Sequence, residues 1–318
     1  MSLIEQAAKR LEQLRKAGIE VHSPAASGEA PASDASIPTQ PPARTAPASP
    51  QERSSAGKTI PSAAVSRTVE LDLNALSAAG LISPDAPRSR IADQYRVIKR
   101  PLIANAMGKG AAPIKRGNLI MVTSAVSGEG KSYTAINLAM SIAMELDNTV
   151  MLVDADLPKP SMLKMLGLPP GPGLLDVLTD ESVALSQVLM RTNVDKLSLL
   201  PSGTQHARAT ELLASDAMIR LLDEMANRYP DRIIIFDSPP LLMTTESRVL
   251  ATHMGQVVVV VRAESTARSD VKHALSAIDA CAVKLMLLNQ ARTSTQDGYG
   301  YGYGYGYGYG YGYGEKGA

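Results

Sequence analysis

The sequence predicts an α/β fold, with a mostly parallel sheet that is covered by helices on both faces. Between residues 118 and 290, short runs of apolar and largely β-branched residues alternate with segments of helical length. Runs that are apolar throughout are typical of strands buried on both faces. A glycine-rich loop follows the first run and aspartates follow two others, as expected where ligands bind at the carboxyl edge of such a sheet.

Composition narrows the class of protein. The chain has 318 residues, a net charge of +1 and one cysteine, Cys281, which excludes a disulfide framework and a cysteine-ligated zinc site. Near-neutral charge argues against nucleic-acid binding, whose affinity comes largely from phosphate neutralisation. No run approaches the roughly 18 apolar residues that span a bilayer, and no signal peptide is recognisable at the start. We therefore expect a cytoplasmic protein.

Four parts of the chain differ in composition. Residues 1–20 have the amphipathic spacing of a short helix, predicted over Leu3–Ala17. Residues 21–65 are a linker rich in Pro, Ala and Ser, with too few large apolar residues to offset the entropy of ordering. Residues 66–297 contain the α/β domain, and residues 298–318 form a Gly-Tyr tail. Glycine at every second position leads us to expect a mobile tail.

The elements of the α/β domain follow in order. Val69–Leu76 is predicted as a short strand or turn and Ile91–Ala106 as a helix. The segment Arg88–Arg116 carries eight Lys or Arg against one acid, which fits either a solvated face or an interface with another subunit or a membrane-side partner. A helix is predicted over Tyr133–Met144. The six buried strands are predicted at Leu119–Thr123, Thr149–Val153, Leu197–Leu200, Ile233–Phe236, Val257–Val261 and Leu285–Leu288.

The strongest chemical signal is the loop Ala125-Val-Ser-Gly-Glu-Gly-Lys-Ser132, between the first buried strand and a helix. It fits the phosphate-loop pattern, with Ala125 in place of the usual first Gly. Gly128 and Gly130 allow backbone N–H groups to approach phosphates at a helix N-terminus. Lys131 would neutralise the β- and γ-phosphates, and the Ser132 hydroxyl would coordinate Mg²⁺. The sequence therefore predicts ATP and Mg²⁺ as cofactors.

Three aspartates end predicted strands. Asp154 and Asp156 follow the second buried run, and Asp237 follows the run at 233–236. A single aspartate at a strand end is usually a turn residue or a cap, but three beside a phosphate loop favour catalysis. We expect Asp156 and Asp237 to hold Mg²⁺ together with Ser132, and Asp154 to accept the proton of an incoming hydroxyl.

The tail accounts for an uneven aromatic composition. The chain has eleven Tyr, one Phe and no Trp, and eight of the tyrosines alternate with glycine near the C-terminus. These eight are Tyr299, Tyr301, Tyr303, Tyr305, Tyr307, Tyr309, Tyr311 and Tyr313, which become candidate phosphoacceptors only through the family resemblance described next. Fully extended at roughly 3.3 Å per residue, the tail would reach about 70 Å, enough to present its tyrosines to a neighbouring subunit.

Three motifs carry a resemblance to a known family. Val122–Ser132, Leu152–Leu157 and Ile235–Leu241 resemble, in order and spacing, the Walker A, A′ and B motifs of bacterial tyrosine kinases, the BY-kinases. The similarity covers roughly 91–289 and the tyrosine tail. Ile91–Leu102 and the linker resemble the subgroup from exosortase-associated exopolysaccharide loci.

The resemblance implies an ATP-dependent tyrosine autokinase. The implied reaction phosphorylates the tail in trans within a homo-oligomeric ring and controls polysaccharide polymerisation or export. It also implies a separate membrane-spanning chain-length or co-polymerase protein as activator, a tyrosine phosphatase, and a location at the inner membrane through that partner. The implied nucleotide-binding residues are Ser127, Gly128, Glu129, Gly130, Lys131, Ser132, Tyr133 and Asn289, the last of which lies where related folds contact adenine.

Some positions depart from the family pattern, and two other functions remain open. The Glu-x-x-Arg-x-x-Arg oligomerisation motif of the family corresponds to Asp93, Arg96 and Lys99, and lysine lacks the bidentate fork of arginine. A ParA/MinD-type positioning ATPase would share the fold, but Val126 stands where those proteins have an extra lysine. A non-catalytic, ATP-gated scaffold with a multivalent Gly-Tyr tail would gain no phosphotyrosine.

Overall fold

Eight strands form one sheet in the computed structural model, which describes residues 67–85, 89–228 and 231–292. The strands are β1 (Arg67–Val69), β2 (Leu119–Ser124), β3 (Thr149–Asp154), β4 (Met190–Thr192), β5 (Leu197–Leu200), β6 (Arg232–Asp237), β7 (Gln256–Arg262) and β8 (Lys284–Asn289). Their order across the sheet is β1-β4-β5-β3-β6-β2-β7-β8. Every pair is parallel except β4 with β5. The predicted α/β class is confirmed.

Ten helices connect and cover these strands in the same part of the chain. They are α1 (Leu73–Ala78), α2 (Arg90–Ala106), α3 (Lys131–Ala143), α4 (Met162–Met165), α5 (Leu174–Thr179), α6 (Leu185–Val188), α7 (Ala209–Leu213), α8 (Asp216–Arg228), α9 (Glu246–Thr252) and α10 (Arg268–Ala277). None of these described helices is long and apolar enough to cross a membrane. The predicted N-terminal helix, the linker and the Gly-Tyr tail lie outside the described residues.

The central strands are buried on both faces, which explains their continuous apolar runs. Along β2, Ile120 and Val122 pack into one core with α2 and α3, while Leu119 and Met121 pack into a second core with α8 and α10. The same alternation continues along β3, β6 and β7 because successive side chains of a strand point to opposite faces. Two apolar layers thus cover the central strands, and loops surround the carboxyl edge of the sheet.

The prediction of a strand buried on both faces is wrong for β8, which lies at the edge of the sheet. Leu285 and Leu287 pack against the first core, but Met286 and Leu288 on its other face are 59% and 63% exposed.

Two short strands and one short helix differ from the sequence prediction. Val69–Leu76 is neither one strand nor a turn: β1 ends at Val69, and α1 begins at Leu73 behind Asp72, whose carboxylate accepts a hydrogen bond from the Ala75 N–H at 2.9 Å. This is a standard N-cap, and it overrides the apolar alternation of so short a segment. β4 was not predicted, because three residues give no measurable periodicity.

Lys99, which the family pattern assigns to oligomerisation, points into the protein. Its ammonium donates to the Ser141 carbonyl at 2.5 Å and pairs with Glu145 at 2.7 Å, and its side chain is 5% exposed. Lys99 therefore binds the C-terminal end of α3, where a cation is favoured by the helix dipole. By contrast, Asp93 and Arg96 form an exposed pair one turn earlier on α2, at 2.6 Å.

Candidate active site

The loop between β2 and α3 has the geometry of an anion-binding loop. Gly128 and Gly130 adopt left-handed φ angles of 87° and 94°, and Gly130 is the N-cap of α3. Glycine is favoured at both positions because it adopts this conformation without a steric cost. The exposed Ser127 and Gly128 form the tip, and α3 begins at Lys131. Backbone N–H groups at the helix start are thus arranged to receive phosphate oxygens.

Glu129 holds this loop to the neighbouring β7–α10 connection. Its buried carboxylate accepts hydrogen bonds from the Val126 N–H at 2.7 Å, the Thr266 hydroxyl at 2.5 Å and the Arg262 N–H at 3.3 Å. Because both oxygens are used in this way, the side chain shapes the loop, and its backbone is the part left for a ligand. Sequence reasoning missed this role, since Thr266 lies 137 residues further along the chain.

Asn289, at the end of β8, lies directly against the phosphate loop. Its amide donates to the Glu129 carbonyl at 2.9 Å and accepts from the Gln290 N–H at 2.9 Å. A Cβ atom at Gly130 would come within 2.2 Å of the same amide nitrogen, so a side chain here would displace the Asn289 amide in addition to straining the backbone at φ 94°. The proposed contact of Asn289 with adenine stays a prediction.

Lys131 lies at the centre of a group of carboxylates. Its ammonium forms an ion pair with Asp156, lies 3.9 Å from Asp237 Oδ1, and donates to the Ser132 hydroxyl at 3.3 Å. Burial disfavours the charged form of Lys131, but Asp237 and Asp156 outweigh it and raise the pKa of the ammonium above its usual value. The structure thus brings the cation together with the three predicted carboxylates: Asp156 and Asp237 lie nearest to it, and Asp154 acts on it more weakly.

Asp154 is held by backbone N–H groups of the turn that follows it. Its carboxylate accepts from the N–H groups of Met162 at 3.1 Å, Ser161 at 3.2 Å and Asp156 at 3.3 Å. Burial outweighs these contacts and raises the pKa of Asp154 to about 6. A carboxyl group with a pKa in this range is suited to accept a proton near neutral pH.

Asp237 pairs with Asp154 in register across β3 and β6, but its surroundings are different. Among the described residues no hydrogen bond of normal geometry reaches either of its carboxylate oxygens, although the Ser132 hydroxyl lies close enough to lower its pKa, and the Lys131 ammonium lies 3.9 Å from Oδ1. Burial raises the pKa of Asp237 to about 7, against the opposing effect of Lys131. Buried polar atoms without partners are costly, so this carboxylate is poised to bind a further group.

Ser161 joins the site although sequence reasoning did not select it. Its hydroxyl lies 3.0 Å from the Ser132 hydroxyl, and its N–H binds Asp154. Two features of the sequence could have pointed to Ser161: the Pro-Lys-Pro sequence that precedes it and the helix α4 that begins directly after it. Tyr133, in contrast, donates its hydroxyl to the Gly80 carbonyl at 2.6 Å, so its side chain anchors the turn after α1. The eight tail tyrosines lie outside the described residues.

Known proteins resemble this chain in sequence over most of its α/β domain. Residues 117–290 match a family model described as an AAA domain. The chain is 32% identical to the tyrosine-protein kinase YwqD of Bacillus subtilis over 67% of its own length and 86% of that relative. It is 34% identical to the tyrosine-protein kinase ptk of Acinetobacter johnsonii over 57% of its own length, but it spans only 24% of that longer protein.

A solved structure supports the same assignment. The crystal structure of the chimerical protein CapA2B2 superposes with a TM-score of 0.58 at 26% identity, covering 72% of this chain and 95% of that one. The sequence match to the Bacillus subtilis kinase extends over most of that relative. The chain therefore belongs to the bacterial tyrosine-protein kinases.

Proposed function

We propose that this protein transfers the γ-phosphate of ATP, with Mg²⁺, to tyrosines of a Gly-Tyr tail supplied by a neighbouring copy. The observation that carries the proposal is the meeting of Lys131, Asp154, Asp156 and Asp237 beside a phosphate loop. Phosphoryl transfer needs this set of groups: donors and a cation for the phosphates, carboxylates for a metal, and a base for the acceptor.

The oxygen donors at the site fit Mg²⁺. Asp237 offers two buried oxygens without hydrogen-bond partners in the described structure, while Asp156 and the Ser132 hydroxyl lie beside the same lysine. The described residues contain no cluster of three or more His, Cys, Asp or Glu able to hold a metal by themselves. Mg²⁺ usually takes one or two carboxylates and completes its shell with water and phosphate oxygens. When bound, the ion would neutralise charge on the β- and γ-phosphates.

The chain's own groups supply the remaining chemistry. Loop N–H groups and Lys131 hold the phosphates, and Asp154 accepts the proton of the tyrosine hydroxyl. The tyrosine oxygen forms a bond to the γ-phosphorus as the bond to the β–γ bridging oxygen breaks, giving phosphotyrosine and ADP. A pKa of about 6 makes Asp154 ionised at neutral pH and a stronger proton acceptor than an ordinary exposed aspartate.

The domain assignments and the cellular role form part of the same proposal. Residues 66–297 act as the kinase domain, 1–20 and 21–65 as a helix and linker, and 298–318 as the acceptor. A ring of copies, a membrane-spanning co-polymerase as activator and a tyrosine phosphatase would place the kinase in control of exopolysaccharide production at the inner membrane. The exposed Asp93–Arg96 pair and the basic segment 88–116 are the surfaces to test for such contacts.

The direct test is to incubate the purified full chain with ATP and Mg²⁺ and to measure phosphotyrosine. We expect phosphotyrosine on the tail, and none when Lys131→Met replaces the wild type or when EDTA removes the metal. ATP hydrolysis without any phosphotyrosine would favour a positioning ATPase, and nucleotide binding without either product would favour a scaffold.

A further inference from the structure

The groups of the active site are arranged in order along the carboxyl edge of the sheet. Asn289 and the phosphate loop lie towards β8 and β2, Asp237 ends β6, and Asp154 ends β3. Because strands are about 4.8 Å apart, Asp154 lies four spacings, or roughly 19 Å, from Asn289. A nucleotide on the phosphate loop with its γ-phosphate at the carboxylates thus leaves the side beyond β3 for the attacking group.

A groove opens at that side, and Asp154 forms part of its wall. It has a volume of about 880 Å³ and lies between α4, with the loop that follows it, and the loop after β5. We call it the proline groove, and it is lined in part by Asp154, Pro160, Leu163, Leu168, Pro170 and Pro172. This volume is within the range of sites that bind small ligands or a few residues of peptide.

The walls of the proline groove suit aromatic rings. Its prolines and leucines offer flat apolar surface, and Gly167, Gly171 and Gly203 carry no side chains that could fill it. Apart from Asp154, the only charged residue in the lining is Lys164. A segment that binds here should be uncharged and rich in rings, since burying an unpaired charge on such walls is unfavourable.

The groove is also held open by fixed contacts. Asp176 accepts hydrogen bonds from the Gly173 N–H at 2.7 Å and the Thr204 N–H at 3.0 Å, which fastens the loop after β5 to the start of α5. A Cβ atom at Gly203 would come within 2.4 Å of the same carboxylate, so glycine is needed at this close approach. A preformed groove lowers the ordering cost of binding a segment.

We propose that the proline groove is the acceptor site for the Gly-Tyr tail, with a tyrosine ring on the prolines and its hydroxyl directed to Asp154. This inference rests on the kinase reaction proposed above. Residues 298–314 carry no charge and place a tyrosine at every second position, which matches the apolar walls. The intervening glycines let the backbone lie close to the groove.

The Gly-Tyr repeat gives the tail several equivalent ways to bind in the proline groove. A shift by two residues presents an identical Gly-Tyr unit to the same walls, so the groove binds every register equally. Successive tyrosines can therefore be phosphorylated by sliding without a dedicated site for each. Phosphate on a tyrosine then meets apolar surface and Asp154, which favours release of the modified unit.

Binding of a synthetic peptide tests the groove directly. The protein is the full chain with serine at the eight tail tyrosines, so that its own tail does not compete. The probe is a fluorescent (Gly-Tyr)₄ peptide, followed by anisotropy and by its rate of phosphorylation. Gln205→Trp, which fills the groove from an exposed position, and Pro172→Asp, which adds a charge, should each weaken peptide binding about tenfold, because a buried ring contributes that much or more.

Controls separate the groove from the nucleotide site and from folding. Thr252→Trp, at an exposed position at the end of α9 and outside the groove, should leave peptide binding unchanged. All three variants should bind fluorescent ATP within about twofold of the parent and melt at similar temperatures. An unlabelled (Gly-Phe)₄ peptide should compete for the groove, whereas (Gly-Ser)₄ should not.

The outcomes distinguish the two proposals. If the parent phosphorylates the peptide and both groove variants bind and phosphorylate it as well as Thr252→Trp does, the groove assignment is wrong while the kinase function stands. If the parent binds the peptide but never phosphorylates it, the proposed reaction fails and the groove remains a binding site. Equal loss of ATP and peptide binding in both groove variants would also contradict the assignment.

Discussion

Asp154 and Asp237 are register partners at the ends of β3 and β6, yet only Asp154 has its charge supported by backbone N–H groups. Three N–H groups surround Asp154, whereas Asp237 is buried with Lys131 at 3.9 Å. Two neighbouring carboxylates are thereby given different chemistry by their surroundings. On this difference we base the proposal that Asp154 accepts the proton and Asp237 holds the metal.

Asp237→Asn should make the metal-free protein less sensitive to pH. The folded-state pKa of Asp237, about 7, lies above its ordinary value of 3.8, so the folded protein holds this proton more tightly than the unfolded chain. Its contribution to stability is complete below about pH 4 and is lost as the pH rises through 7. In EDTA, the wild type should lose roughly 1–3 kcal/mol more between pH 5 and pH 8 than the variant. Equal losses in denaturant titrations would contradict this account.

Proton transfer by Asp154 sets a second pH dependence. Because its pKa is about 6, the phosphorylation rate at saturating ATP and Mg²⁺ should fall as the pH drops through 6 and the base becomes protonated. Asp154→Asn should lower the transfer rate about 10²- to 10⁴-fold while ATP affinity changes little. Rates measured from pH 5 to 8 test both points, and a variant that retains the wild-type rate would remove Asp154 from the mechanism.

The strands and several candidate site residues could be predicted from the sequence, because they follow regular patterns of apolar runs, loops and strand ends. Six apolar runs predicted six strands, and Lys131, Ser132 and Asp154 were selected from loop and strand-end patterns alone. The remaining features depend on contacts between distant residues. Glu129 binds Thr266 137 residues away, and Lys99 binds the Ser141 carbonyl 42 residues away, so neither partner could be chosen by spacing. β4 was missed because three residues carry no periodicity.

Two glycine substitutions separate the effect of the close Asn289–Gly130 contact from the effect of backbone strain. Gly128→Ala introduces strain at φ 87° with open space around the new Cβ, while Gly130→Ala adds a 2.2 Å clash with the Asn289 amide. We expect Gly130→Ala to weaken ATP binding more than Gly128→Ala. Adding Asn289→Ala should recover part of the loss in the Gly130 variant. Titration with fluorescent ATP measures all three, and no recovery would show that the clash is unimportant.

Lys99 should stabilise the fold rather than an interface between copies. Lys99→Met removes an ammonium that is 5% exposed and pairs with Glu145, so the free energy of unfolding should fall by roughly 1–3 kcal/mol. The exposed Arg96→Ala should change it by less than about 0.5 kcal/mol. Denaturant titrations provide the comparison. If the Lys99→Met protein were as stable as the wild type but failed to oligomerise, Lys99 would instead act at the interface between copies.

In the proposed reaction, one copy of the protein phosphorylates the tail of another. The most direct measurement mixes a Lys131→Met chain with an intact tail and an otherwise wild-type chain with serine at the eight tail tyrosines, then maps phosphosites by mass spectrometry. With ATP and Mg²⁺ we predict phosphate on tyrosines between 299 and 313 of the inactive chain, and none when that chain is incubated alone. An unmodified inactive chain in the mixture, beside a wild-type control that phosphorylates its own tail, would contradict transfer between copies.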